Sequence, residues 1–116
     1  MPRPRATDPP LGPAVFHILL ALGDGALNGY QITQQVAENS NGAVTLSPAT
    51  LYENLHRLAA ASLTAEIDPP AEEADGRGQR FCELSDAGVD LLRQEVERLG
   101  RDLAVARSVA ALKSGR

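Results

Sequence analysis

Two adjacent helix-start signals, two stretches of strand-like alternation and one long heptad-like seam predict the fold class of this chain. In that order they make a mainly α protein with a small β-hairpin, a winged helix-turn-helix continued by a long C-terminal dimerisation helix. At 116 residues the chain has the length of one compact domain with a single core. With 43% apolar residues but no Trp, two Phe and two Tyr, that core must be built from Leu, Ile, Val and Ala.

Each element follows from its residues. Residues 1–12, rich in Pro and carrying Arg3 and Arg5, read as a mobile arm. Pro13 suits the first position of a helix whose body, Ala14 to Leu22, is apolar nearly all round and therefore expects burial. Gly23 and Gly25 end it. In L27-N-G-Y-Q-I32, Asn28 is an N-cap, Gln31 completes a capping-box pair and Leu27 staples to Ile32, so a second helix starts here and runs to about Asn39. The run S40-N-G-A43 is a turn by composition.

The stretch L46-S-P-A-T-L-Y-E-N-L-H-R-L58 repeats the device, with Leu46 at the staple position, Ser47 as N-cap, Pro48 at the first helical position and Leu51 closing the staple. Leu51, Leu55 and Leu58 recur at i, i+4 and i+7 on one buried face. Ala49, Glu53, His56 and Arg57 then face outward, with Thr50 beside them. Next, L63-T-A-E-I67 and Q79-R-F-C-E-L84 alternate apolar and polar residues, which predicts a two-stranded antiparallel hairpin. Its loop, Asp68 to Gly78, holds two prolines, two glycines and four acids and is expected to be the most mobile internal segment.

Ser85 caps the last helix, predicted over 85–112, in which Val89, Leu92, Val96, Leu99, Leu103, Ala106 and Ala110 alternate spacings of three and four. Seven seam positions exceed what one small core needs, so a second chain is expected to cover part of them. Gly100 weakens this helix by about 1 kcal/mol relative to Ala and offers a bend or a close approach. The domain organisation is thus an arm over 1–12, a winged helix-turn-helix over 13–84, a dimerisation helix over 85–112 and a tail over 113–116.

The net charge of −4 argues against a generic nucleic-acid sponge without excluding a local contact. The single cysteine, Cys82, has no partner for a disulfide and no Cys or His at ligand spacing; burial as a small hydrophobe is its ordinary fate on a strand. No signal peptide and no membrane span are expected, and a cytoplasmic location fits best. His17 and His56 lie at no metal-ligand spacing, and no carboxylate pair, nucleophile with base, or glycine-rich phosphate loop is present. No catalytic residue, metal or cofactor is expected.

In a helix-turn-helix the second helix of the pair enters the major groove with its N-terminal residues toward base edges, which gives Ser47 to Arg57 a task. Small residues at Pro48 and Ala49 let the backbone come close, and the helix N-terminus suits a phosphate. Here the chain resembles the PadR family of bacterial transcriptional regulators. The resemblance runs through I18-L-L-A-L22, L27-N-G-Y-Q-I32, L46 to L58, F81-C-E-L-S-D-A-G88 and the helix after it.

The resemblance implies a homodimer joined through the C-terminal helix and often the N-terminal one, where Phe16 lies, binding a palindromic operator on double-stranded DNA and usually repressing. It implies a small-molecule effector near the dimer interface. Carried over by position, Tyr30, Ser47, Pro48, Thr50, Tyr52, Glu53 and Arg57 belong to the DNA-reading unit, with Arg77 and Arg80 reaching from the wing. This chain departs from the family in Ala59, where Glu is common and an ion pair is expected, and in a longer, acidic wing.

Other roles stay open for several of these residues. Tyr52 fits a core edge as well as a DNA contact, Tyr30 fits a clamp of the second helix on the third, and Arg57 fits a solvated arginine. With no Trp and only Phe16 and Phe81, an aromatic stacking clamp is hard to build, so a ligand cavity is expected to be aliphatic or absent. The acidic balance also motivates an alternative function, a winged-helix module that binds a protein partner and no DNA.

Overall fold

A computed structural model of the chain describes residues 7–69 and 80–113. Helix α1, Pro13–Ala21, begins on its proline and passes into a 3-10 turn at Leu22–Asp24. Strand β1 is Leu27–Asn28, helix α2 is Gly29–Asn39 and helix α3 is Pro48–Ala60. Strands β2, Thr64–Ile67, and β3, Phe81–Leu84, precede helix α4, Asp86–Ser108, and a short α5, Ala110–Lys113.

Both caps form as their residues require. The Asn28 side chain accepts from Gln31 N at 2.9 Å while Asn28 N donates to Gln31 Oε1 at 2.9 Å, a complete capping box. Ser47 Oγ accepts from Thr50 N at 3.2 Å. Between the two helices, Asn41 and Gly42 take positive φ, and Ser40 Oγ donates to Val36 O at 2.8 Å and accepts from Val44 N at 2.9 Å. Those bonds close the turn, and the apolar faces of the helices then meet in a core where Ile18, Leu19, Ile32, Val36 and Leu58 are fully buried.

The sheet differs from the expected two-stranded hairpin: it has three strands in the order β1-β3-β2. The residues just ahead of α2 are extended, so Leu27 pairs with Cys82 and Asn28 with Phe81 in antiparallel register. Asn28 therefore starts a helix and edges a sheet at once. Strand β2 pairs with β3 from Thr64 opposite Leu84 to Ile67 opposite Phe81.

Leu63 lies outside β2 because its backbone is used elsewhere. Its N donates to Leu58 O at 2.9 Å, and its carbonyl accepts from Ser85 N at 3.0 Å. Ser85 Oγ in turn accepts from Gly88 N at 3.1 Å as the cap of α4. A Cβ on Gly88 would collide with the Leu63 carbonyl, which is the physical reason for glycine in the L-S-D-A-G start of this helix.

Two further expectations are corrected. The final helix runs unbroken through Gly100 and stops instead at Val109, whose extended backbone separates α4 from α5. Ser108 Oγ donates to Val105 O at 2.7 Å as the helix ends, the local competition by which serine weakens helix interiors. On α4 the residues buried in the chain's own fold are Gly88, Leu91 and Glu95, and of the seven seam residues Leu92 packs against the core.

The arm, finally, is not free to its end: Leu11 is buried, and its N donates to Glu95 Oε2 at 2.7 Å. Arg98 closes that carboxylate with Nε on Oε1 at 2.6 Å and Nη2 on Oε2 at 3.0 Å, and reaches Asp102 Oδ2 at 2.9 Å. The Arg98 hydrogen bonds, with the Leu11 bond and the arginine's charge behind them, hold the Glu95 carboxyl below its ordinary range against the opposing effect of burial. Residues 70–79, most of the acidic loop expected to be mobile, lie outside the described residues, as do Arg3, Arg5 and Arg77.

Candidate nucleic-acid interface

Helix α3 divides into two faces. Leu51 and Leu58 are buried with Asn54 between them, and Leu55 is half-buried; Ser47, Pro48, Ala49, Thr50, Tyr52, Glu53, His56 and Arg57 are all exposed. Asn54 stands at i+3 from Leu51 and i−4 from Leu58, so helix periodicity alone would have placed it inward. Its Nδ2 donates to Thr50 O at 2.9 Å, so the buried amide is used on its own helix. Ser47 Oγ also donates to Thr50 Oγ1 at 3.0 Å, tying two outward hydroxyls together at the helix start.

The two tyrosines are both open to solvent. Tyr30, at 72% exposure, does not clamp α2 on α3; its hydroxyl accepts from Gln34 Nε2 at 3.0 Å one turn along its own helix. The closer contact belongs to Tyr52, 61% exposed, whose ring end lies over Gly29. A Cβ on Gly29 would stand 2.9 Å from the Tyr52 hydroxyl and 3.4 Å from Leu51 Cδ2. Glycine ahead of Tyr30 thus gives the start of α2 room beside α3.

Both rings line a cleft of about 580 Å³ between α3 and the sheet, together with Leu55, His56, Arg80 and Cys82. The tyrosine rings thus give this open cleft aromatic walls. On the wall of this cleft, the Cys82 thiol is pushed up by burial and further by the negative charge of Glu66 opposite it. Arg80 is exposed at the start of the wing's return strand.

Arg57 is not a bare arginine. Its Nη2 donates to Glu53 Oε1 at 2.7 Å, an i,i+4 pair with both side chains more than half exposed. The ion pair missed at Ala59 is made one turn earlier on the same helix. On α4, Val96 is 49% and Leu103 50% exposed, and Val89 and Leu99 are exposed with them; Leu92 and Ala106 are half-buried and Ala110 exposed. Phe16, half-buried on α1, packs edge-on to His17 with ring centroids 5.3 Å apart.

Among the described residues no group of three or more His, Cys, Asp or Glu side chains is placed to hold a metal ion. No helix among them is long and apolar enough to cross a membrane.

Comparison with known proteins bears on this arrangement. The model of the transcriptional regulator PadR-like family matches residues 18–94. A transcriptional regulator of Mycobacterium tuberculosis is 32% identical over 99 residues, 83% of this chain and 87% of its own length. A 37.1 kDa protein of a Streptomyces fradiae transposon is 39% identical over 84 residues, 72% of this chain, which spans only 22% of that protein.

Among solved structures, a PadR family regulator of Clostridium difficile superposes with a TM-score of 0.67 at 23% identity, over 83% of this chain and 95% of its own. The PadR of Bacillus subtilis, solved in complex with operator DNA, does so with a TM-score of 0.61 at 21% identity, over 71% of this chain and 45% of its own. At that identity the structures share the winged helix-turn-helix fold, while the sequence matches carry the kinship. This chain belongs to the PadR-like family of transcriptional regulators.

Proposed function

We propose that the chain is a cytoplasmic homodimer that binds a palindromic operator through α3 and represses transcription until a small-molecule effector releases it. The observation that carries this reading is the outward face of α3, polar and unpacked from Ser47 to Arg57, on a helix whose start is capped and whose partner helix is capped in the same way. Ser47, Pro48, Thr50, Tyr52 and Glu53 meet base edges, and Tyr30, Arg57 and Arg80, with Arg77 by its place in the sequence, meet phosphates.

The dimer forms where α4 leaves Val89, Val96, Leu99 and Leu103 uncovered, with Leu92, Ala106, Ala110 and Phe16 beside them. Two-fold symmetry then sets the half-sites one helical turn, ~34 Å, apart or a multiple of it. The Bacillus subtilis relative solved with operator DNA supports the DNA-binding part of this reading. Release by an effector rests on the family resemblance, and its site is placed where the two chains meet.

The test is a titration of labelled duplex from the gene's own upstream region at several salt concentrations. Each phosphate contact steepens the fall of log K with log salt by about 0.9, so a protein using Arg57 and Arg80 from both protomers gives a slope of roughly −4 or steeper. Absence of binding at low salt would end the repressor reading and favour instead the protein-binding module that the net charge of −4 motivates.

A further inference from the structure

The outermost stripe of α3, opposite Leu51, Asn54 and Leu58, is Ala49, Glu53, His56 and Ala60, following one another at spacings of four, three and four. Glu53 is the one carboxylate on that stripe, and it stands in the second turn, within the part of a reading helix that reaches base edges. A negative group there is repelled by the phosphates on either side of the groove. Helix stability does not account for it, because an exposed i,i+4 pair such as Glu53 with Arg57 contributes little.

Its partner supplies the account. At 2.7 Å the Glu53 carboxylate sits on the Arg57 guanidinium where a phosphate oxygen would otherwise sit. Duplex of arbitrary sequence must compete with that internal anion for Arg57, and success strands a carboxylate in the groove without a donor. A site that offers Glu53 a donor removes the penalty. In the major groove the donors are the amino groups of cytosine and adenine; adenine sets its N7 acceptor beside the amino group, against a carboxylate, whereas cytosine presents N4 with no acceptor of its own.

We propose that Glu53 is a specificity-determining residue that accepts a hydrogen bond from cytosine N4 in each half-site, and that it keeps Arg57 from phosphates wherever that cytosine is missing. The inference rests on α3 being the groove-facing helix. It also gives a reason for the low positive charge of this surface: neutralising its own arginine suppresses binding to bulk DNA, so discrimination comes from weakening the wrong complexes.

The experiment is selection of bound duplexes from a random library by the wild-type protein and by Glu53→Gln, followed by salt titrations on the selected duplex and on an unrelated one. Wild type should enrich a cytosine at one position of each half-site, and replacing it should weaken wild-type binding about fivefold to a hundredfold but Glu53→Gln binding less than twofold. Glu53→Gln should bind the unrelated duplex several-fold more tightly, with a salt slope steeper by about 0.9 per reading helix. Adding Arg57→Ala to Glu53→Gln should abolish that gain.

If Glu53→Gln selects the same sequences with the same salt slope, Glu53 is only a solvated partner of Arg57 and the inference is overturned. If wild type binds no duplex at low salt, it is the repressor reading itself that fails.

Discussion

Replacing Glu95 by Gln changes one atom type in a buried site whose geometry sets the outcome. The carboxylate has donors on both oxygens: Arg98 Nε on Oε1 at 2.6 Å, and Leu11 N with Arg98 Nη2 on Oε2 at 2.7 and 3.0 Å. A glutamine has one oxygen and one NH2 group. Its NH2 group opposes Leu11 N and Arg98 Nη2 in one orientation but only Arg98 Nε in the other, which is therefore the one it takes. One bond is lost outright and the others lose their charge, which costs about 2 kcal/mol. For a chain of this length that lowers Tm by about 8 °C.

The assay is a thermal melt at fixed protein concentration, with hydrogen exchange at the Leu11 amide, whose protection should fall as a neutral acceptor replaces the carboxylate. The pH dependence has a definite sign. The native carboxyl lies below its ordinary value, so its contribution is complete above the unfolded pKa of about 4.3 and is lost as pH falls through the lower folded value. The gap between wild type and Glu95→Gln should therefore be constant from pH 6 to 8 and close in acid. A variant that melts within 1 °C of wild type at pH 7, with Leu11 protection unchanged, would refute the docking of the N-terminal segment by this carboxylate.

Gly88→Ala forces a methyl into the Leu63 backbone carbonyl and should cost about 3 kcal/mol, read as a larger Tm loss than an Ala substitution at any exposed position of α4. Leu103→Glu should convert a dimer into a monomer in sedimentation at micromolar concentration while leaving the far-ultraviolet dichroism of the folded domain in place, because Leu103 is half exposed and touches no core residue. Cys82, buried with its thiol pushed up, should react with a disulfide reagent at pH 8 at least tenfold more slowly than in denaturant.

The parts of this fold that were legible in the sequence are those whose causes are local. Asn28 with Gln31, and Ser47 with Pro48, declare helix starts within four residues, and both form as read. The third strand was hidden because its cause is distant: Leu27 and Asn28 become a strand only where Phe81 and Cys82 lie beside them. Leu11 and Glu95 stand 84 positions apart, so no spacing rule joins them, and Glu95, like Glu97 beside it, looks like an outward residue until a backbone N–H is set against it.

At the candidate interface, the exposed face of α3 was readable from its leucines, but the clamp of α2 on α3 expected of Tyr30 is not made by that ring. Tyr52 makes the contact with the start of α2, and Tyr30 stands free of it, because which ring lies over Gly29 depends on how α2 and α3 cross. The pair of Glu53 and Arg57 stands at ordinary i,i+4 helix spacing and was legible in the sequence.

The Leu63 peptide gives its N–H to the end of α3 and its carbonyl to the cap of α4. In a dimer built on α4, this places a short, stiff coupling between the handle that the partner grips and the helix that meets the groove. Two such protomers act like a pair of calipers whose opening is set at one peptide unit on each side. For such a dimer, operators whose half-sites are a base pair too near or too far are expected to bind more weakly, since Leu63 ties the end of α3 to the cap of α4.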